Sequence, residues 1–205
     1  AVAIAKGEQW GRPGLLPPGA PIASSDADAA RYLQTASTTG NAAPRTIGLE
    51  AGDLARTLGI RALYDPKSPK HLVAVDALEV ELDDGSVHHG VAHAVIGSVR
   101  WRRGAVAIMN AAFIGTRNIA PRAHPGDGKV DVVCLDLDLS DRTKAWKRMV
   151  TGTHVPHPNI TIRQRRDGAI ELDRPARVRV DGRSVGTSAT VRYRVISGAV
   201  VVAVS

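Results

Sequence analysis

The chain has 205 residues, 43% of them hydrophobic and only 3% aromatic, and a net charge of +7 at pH 7. That length and apolar content exclude a disordered chain and allow one large domain or two small ones, with a core of Val, Ala, Leu and Ile rather than aromatic rings. A single cysteine, Cys134, excludes an internal disulfide framework. No apolar run reaches the roughly 18 residues of a membrane span and no signal peptide is recognisable, so a soluble cytoplasmic protein is expected.

The positive charge suits an anionic partner such as a lipid headgroup or a nucleotide phosphate. Nucleic acid is disfavoured, because the arginines are spread along strand-like segments and few aromatics are present to stack on bases. Most of these arginines read as solvated strand faces.

In chain order, Ala1–Ala5 fits a first strand. Gly11–Pro21, with four prolines and three glycines, reads as a loop. Ile22–Ser24 is a short strand. Ser25 or Asp26 caps a helix whose Ala29, Ala30, Leu33 and Ala36 form one apolar stripe, ended by Gly40-Asn41. Thr46–Leu49 is a strand and Asp53–Leu58 a short helix stopped by Gly59. A linker at Asp65–Lys70 divides a small α/β part, residues 1–64, from a strand-rich part, residues 71–205. There Leu72–Leu82 and Val87–Val99 flank a hairpin turn at Asp83-Asp84-Gly85. Trp101–Gly104 turns into Ala105–Asn110, and Val130–Leu139 is a long strand in which Cys134 is expected to be a buried, inert thiol. Asp141–Met149 is the one helical insert. Three further turns are expected: Asp167-Gly168 between Ile160–Arg165 and Ala169–Leu172, Asp181-Gly182 between Ala176–Val180 and Ser184–Gly186, and Ser197-Gly198 between Val191–Ile196 and Val200–Val204. This spacing of strands suits a β-sandwich or a closed antiparallel sheet.

Several positions carry chemistry. The strand–turn–helix unit at Gly52-Asp53 points backbone N–H groups at a potential phosphate. It reads equally as a tight turn with Asp53 as an N-cap, and Glu50 there would repel a polyphosphate. Asp127, beside Gly128 and four residues before Asp131, is either a turn residue or an oxygen ligand for Mg²⁺. Asp181 is either a turn residue or an acid. His88, His89 and His93 cluster, as do His154 and His157, but no spacing among them matches a zinc framework.

The order N-A-x-F-x-G at 110–115, A-P-R-A at 120–123 and D-G-K-V-D at 127–131 resembles the C-terminal domain of the diacylglycerol kinase family of lipid kinases, which includes sphingosine kinases and bacterial lipid kinases. Gly48–Ile60 resembles that family's GTGND segment and the helix after it, and Val180–Arg183, V-D-G-R, is similar to its VDGE. The resemblance spans roughly residues 45–205 and implies an α+β fold, a small N-terminal α/β remnant of the nucleotide domain packed on a C-terminal antiparallel β-sandwich. Full members use ATP and Mg²⁺ to phosphorylate a lipid hydroxyl. By resemblance Gly52 and Asp53 face the nucleotide, Asp127 belongs to a metal and water network, and Asp181 and Arg183 occupy the catalytic turn. The family's GGDGT phosphate loop is absent and Arg183 replaces the glutamate, so activity is expected to be impaired or lost. The alternative is a non-catalytic module binding an anionic ligand, a lipid or a protein partner, with Arg183 holding a phosphate or sulfate in the old site. An inherited site further predicts that the turns at Gly52-Asp53, Asp127 and Asp181–Arg183 converge.

Overall fold

The computed structural model describes residues 10–38, 45–60, 69–97 and 104–204, with side chains to Leu33 in the first of these. The expected strand at Ala1–Ala5, the helix stop at Gly40-Asn41, most of the Asp65–Lys70 linker and the turn before Gly104 lie outside the described residues.

The N-terminal part contains β1 (Arg12–Gly14), then two strand–turn–helix units in tandem: β2 (Ile22–Ala23) into α1 (Asp26–Thr38), and β3 (Arg45–Leu49) into α2 (Asp53–Thr57). After these come β4 (Lys70–Glu81), β5 (Val87–Gly90), β6 (His93–Ile96), β7 (Ala105–Met109), β8 (Phe113–Ile114), β9 (Arg117–Asn118), β10 (Val130–Leu135), α3 (Leu139–Arg148), β11 (Ile160–Arg165), β12 (Asp167–Val180) and β13 (Arg183–Val204). Eleven strands form one sheet in the order β1-β4-β13-β12-β6-β7-β10-β11, with β5 on β4, β3 on β13 and β2 on β3; β8 and β9 form a separate hairpin. The pairings are antiparallel except β13–β3 and β2–β3. The fold is therefore α+β, with a C-terminal antiparallel, sandwich-like domain.

Three apolar clusters hold it together. Leu78 and Val80 of β4, Val178 and Val180 of β12 and Val191 of β13 face Ala94, Ile96, Ile108 and Val132 from β6, β7 and β10, so the sheet folds over its own interior. Ala29 and Leu33 of α1 and Leu54 of α2 cover Ile47, Leu49, Val73, Val75, Val200 and Val202. Ala145 and Met149 cover Met109, Val133 and Leu135 on the other side. β13 joins the layers: its residues 183–194 pair with β12, and past a bulge its residues 200–203 pair with β3.

Four local expectations are corrected. Ser197-Gly198 is not a hairpin turn, because β13 runs unbroken from Arg183 to Val204 and the irregularity lies between Ile196 and Val200. Gly198 takes a positive φ of 58° there and donates its N–H to Asp76 Oδ1 at 2.8 Å. Asp167-Gly168 does not fold β11 onto β12 either. β11 pairs with β10, and Asp167 and Gly168 already pair with Arg194 and Tyr193 of β13. The strand expected over Val87–Val99 is interrupted at Val91-Ala92, whose N–H groups leave the ladder for a carboxylate. Cys134 is exposed, on the β10 face that looks away from α3 beside Thr161 of β11. In addition, the loop expected at Gly11–Pro21 includes β1, which pairs with β4.

Candidate functional site

Because β2 and β3 are parallel neighbours, the turns that follow them lie side by side, and the first turn of α1 meets the first turn of α2. Asp26 uses this directly. Its Oδ2 accepts from the N–H of Asp53 at 2.6 Å and its Oδ1 from that of Leu54 at 3.1 Å. Gly52 precedes these donors with a φ of 123°, and a Cβ there would overlap the Asp26 carboxylate. The Asp53 carboxylate in turn bridges His93 Nε2 at 2.8 Å and the N–H of Gly115 at 2.7 Å.

Asp181 closes the cluster from the other side. It sits at the β12–β13 turn with a φ of 47°, and its carboxylate points inward. Oδ2 accepts from Val91 N–H at 2.7 Å, and Oδ1 from Ala92 and His93 N–H at 3.0 Å each. Burial, and then the nearby Asp181 charge, push the Asp26 carboxyl up to about 7, against the pull of its two N–H donors. Burial alone would lower the pKa of His93. The Asp53 hydrogen bond and the charges of Asp181, Asp53 and Asp26 outweigh it, and the imidazole ends above its ordinary value.

Asp127 belongs to a second acidic group. Its Oδ1 accepts from Lys129 N–H at 3.0 Å. Its charge raises the pKa of two buried neighbours, Asp76 and Asp131, in each case after the larger effect of burial. Both Asp76 oxygens are engaged, by Gly198 and by Gly128 N–H at 2.6 Å. The remaining oxygens of Asp127 and Asp131 do not complete a metal site: among the described residues no group of three or more His, Cys, Asp or Glu is arranged to hold an ion. Asn110 connects the two groups, since its Nδ2 donates to Asp76 O at 2.9 Å and to Val91 O at 2.7 Å.

Of the positions expected from sequence, Gly52, Asp53 and Asp181 come together, while Asp127 keeps company with Asp76 and Asp131. Arg183 is half-buried, and its positive charge helps lower the pKa of His88 on β5, after burial has done most of that. Asp26, His93, Asp76 and Asn110 were not singled out as site residues. The sequence offers Asp26 as one of two caps of its own helix, beside Ser25, and places His93 in a histidine cluster that matches no zinc framework. The signal for Asp26 is the tandem strand–turn–helix pattern, which sets adjacent turns together.

Two cavities flank these groups. One of about 510 Å³ lies at the β3–α2 turn between Glu50, Arg56 and Phe113. The other, about 520 Å³, lies under the Pro121-Arg122 turn, with Val155, Pro156, Ile160 and Ile162 as apolar walls and Asp131, Gln164 and His157 as polar groups. Asp131 is 2% exposed, and its Oδ2 has no hydrogen-bond partner.

A sequence family described as the YegS C-terminal NAD kinase beta sandwich-like domain matches residues 75–204. No curated protein matches the chain in sequence. Three solved structures from Bacillus anthracis str. Sterne, described as diacylglycerol kinases (provisionally so in two), share the fold. The first is 13% identical, with a TM-score of 0.66 over 90% of this chain and 77% of that one. The second is 13% identical, with a TM-score of 0.64 over 88% and 83%. The third is 14% identical, with a TM-score of 0.60 over 87% and 82%.

Proposed function

From the premise that the chain belongs to the YegS C-terminal NAD kinase beta sandwich-like domain family, we propose that it is a lipid-binding member that does not transfer phosphate from ATP. One observation carries this reading. The N–H groups that the sequence offers to a phosphate, at the start of α2, are both engaged by the Asp26 carboxylate. Glu50 adds a second carboxylate at the same turn. Phosphoryl transfer depends on positioning and on neutralising phosphate charge, and two carboxylates do the reverse. Mg·ATP does not fit this turn.

The lipid half of the reading is supported by the 520 Å³ cavity, which has the size and the mixed lining of a small-molecule site. An acyl chain would lie along Val155, Pro156, Ile160 and Ile162, and a lipid hydroxyl at the polar end formed by Asp131, Gln164 and His157. Diacylglycerol, named for the structural relatives, is the ligand class to test. The kinase reading keeps one observation in its favour: a carboxyl with a pKa of about 7, such as Asp26, is suited to act as a general base near neutrality.

Thermal unfolding with diacylglycerol in detergent micelles, and separately with Mg·ATP, tests both halves, since a ligand of the native state raises the midpoint. A shift with diacylglycerol is expected, and ATP binding no tighter than about millimolar, because each missing charge-assisted phosphate contact removes about 1.5–3 kcal/mol. Radiolabelled phosphate transfer to diacylglycerol should stay at background, also in Arg183→Glu, which recreates the family's D-G-E turn. Transfer by the wild type that disappears in Asp26→Ala would establish the kinase reading instead.

A further inference from the structure

β11 alternates along its length. Ile160, Ile162 and Gln164 face the 520 Å³ cavity, and Thr161, Arg163 and Arg165 take the other face. Register carries the same split to β10, where Cys134 pairs with Thr161, Val132 with Arg163 and Val130 with Arg165. Val130 and Val132 also belong to the cluster inside the sandwich, with Ile170 of β12 and Tyr193 of β13. β11 is the last strand of the sheet, and at that edge the cluster gives onto a groove of about 370 Å³, with Val132, Ala169 and Ile170 as its apolar lining.

The charged part of that lining is Arg163 and Arg165, with no acid among the groove's own residues. Among the described residues neither arginine makes an ion pair. Arg165 Nη1 donates to Gln164 O at 2.9 Å. Both charges are felt inside the groove. Burial pushes the Cys134 thiol up, and the charge of Arg163 opposes it. Burial also pushes the Tyr193 phenol up; the charge of Arg165 opposes this, while Asp167 and Cys134 add to it. The neighbouring acids stand at the two ends, Asp167 beyond Tyr193 and Asp136 beyond Cys134, and each borders an adjoining hollow instead. Residues two apart on a strand are separated by about 6.7 Å, so both guanidinium forks can close on one anion.

We propose that this groove binds a phosphate monoester, its phosphate held by Arg163 and Arg165 beside the Thr161 and Tyr193 hydroxyls, and its organic body lying on Val132 and Ile170. An arginine fork takes phosphate oxygens two at a time, and two forks on one head group select a dianion with three terminal oxygens over a carboxylate with two. The volume is within the range of small-molecule sites. The groove lies on the opposite face of β10 and β11 from Asp131 and the 520 Å³ cavity, so it stands or falls separately from the lipid reading. A free monoester and a lipid headgroup share this chemistry, and the experiment separates them.

The test reads Cys134, which is exposed and is the chain's one cysteine, so thiol labelling reports on this groove alone. The rate of alkylation by iodoacetamide, an uncharged reagent, is measured on the whole chain with inorganic phosphate, phenyl phosphate or monomeric dihexanoyl phosphatidate. Saturable slowing is expected with all three, at lower concentration for the two that carry an organic body, and none with benzyl alcohol or with sodium chloride at the same ionic strength. Half-protection at a lower concentration by the phosphatidate than by phenyl phosphate assigns a lipid headgroup, and the reverse order or equality a free monoester; either supports the site. Arg163→Gln and Arg165→Gln should each raise the half-protecting concentration about tenfold or more, measured against that variant's own unliganded rate. Arg163→Lys, which keeps the charge but not the fork, should fall between. Arg174→Gln with Arg177→Gln, which removes two charges from β12 outside the groove, should leave protection as in the wild type. Thermal unfolding of these variants should match the wild type. No slowing by any phosphate, equal slowing by sodium chloride or benzyl alcohol, wild-type protection in Arg163→Gln with Arg165→Gln combined, or an equal loss in the β12 control overturns the proposal.

Discussion

Around Asp181, each carboxylate oxygen of Asp26, Asp53 and Asp181 has a backbone N–H or an imidazole nitrogen as partner. Around Asp131, one carboxylate oxygen is buried with none. The first group lies where the tandem strand–turn–helix units meet the 91–93 segment; the second forms the polar end of an apolar cavity. Buried polar groups are ordinarily satisfied. The carboxylates of the first group meet that rule, while His93 Nδ1 beside them is buried without a partner, as Asp131 Oδ2 is in the second group. The carboxylates of the first group are thus held in place by the backbone around them, with the 510 Å³ cavity at the β3–α2 turn beside them, while Asp131 of the second group borders the 520 Å³ cavity.

The strongest way to break this contrast is to cut the fastening. Asp181→Ala leaves the Val91, Ala92 and His93 N–H groups without acceptors in a buried place and should destabilise the protein by about 3–5 kcal/mol. Asp181→Asn keeps one acceptor oxygen and the tolerance for positive φ, and should lose about half of that. Denaturant unfolding measures both. A loss below about 1 kcal/mol for Asp181→Ala would mean that the 91–93 segment is held by something else.

The next effect is a pH dependence. The Asp26 carboxyl is raised from 3.8 to about 7 in the folded protein, so between these values the unfolded chain releases a proton that the folded one keeps. Stability from this group is present at acid pH and lost as pH rises towards 7. Raised His93 acts in the same sense, losing its contribution as pH rises through its folded value. The difference in stability between wild type and Asp26→Asn should therefore change by about 2–4 kcal/mol between pH 4 and pH 8, the wild type losing more. A pH-independent difference would show that Asp26 is ionised throughout.

How far the sequence leads depends on whether a signal is local. The span of β4 and the Asp83–Gly85 hairpin follow from period and turn residues, and α3 from its charged ends. The strand expected over Val130–Leu139, however, stops at Leu135, and the helix starts at Leu139 rather than Asp141, because Asp138 caps it by accepting Asp141 N–H at 2.8 Å. V-D-G-R was legible as a turn because the demand is made within four residues. The Asp167-Gly168 pair looks the same but answers a distant demand: a Cβ at Gly168 would strike the Tyr193 phenol. Gly198 serves a bulge whose acceptor, Asp76, lies 122 residues away. At the site, Gly52, Asp53 and Asp181 were legible from motif. Asp26 and His93 were not, because their partners are set by β2–β3 adjacency and by the break at Val91-Ala92.

A smaller effect is expected at Gly52. Gly52→Ala introduces a Cβ against the Asp26 carboxylate and holds alanine at a φ of 123°. The loss should be about 2 kcal/mol, within the range for backbone strain of this kind. Combining it with Asp26→Asn separates strain from overlap. Asparagine keeps the bulk, so the loss should persist, whereas Asp26→Ala should relieve part of it. Full additivity in the Asp26→Ala double mutant would mean that the two positions do not touch.

The smallest stability change is expected at the cavity. Burial, then the Asp127 charge, raise the Asp131 carboxyl above its ordinary value, against Gln164 and Arg122, so ionising it in place is unfavourable. Asp131→Asn removes that burden, and the amide can still bond Gln164. Its stability should stay within about 1 kcal/mol of wild type and compare best at high pH, where the wild-type carboxyl must ionise or hold a proton against the solvent. The same substitution should weaken the diacylglycerol-induced rise in melting temperature, because the group facing the cavity has changed. Asp131→Leu should weaken it further without unfolding the protein, since an apolar side chain of similar volume removes the unsatisfied oxygen as well. A loss of several kcal/mol in Asp131→Asn would mean that Oδ2 has an internal partner after all. The cavity floor would then be as firmly fastened as the Asp181 cluster, and the lipid assignment would lose its polar anchor.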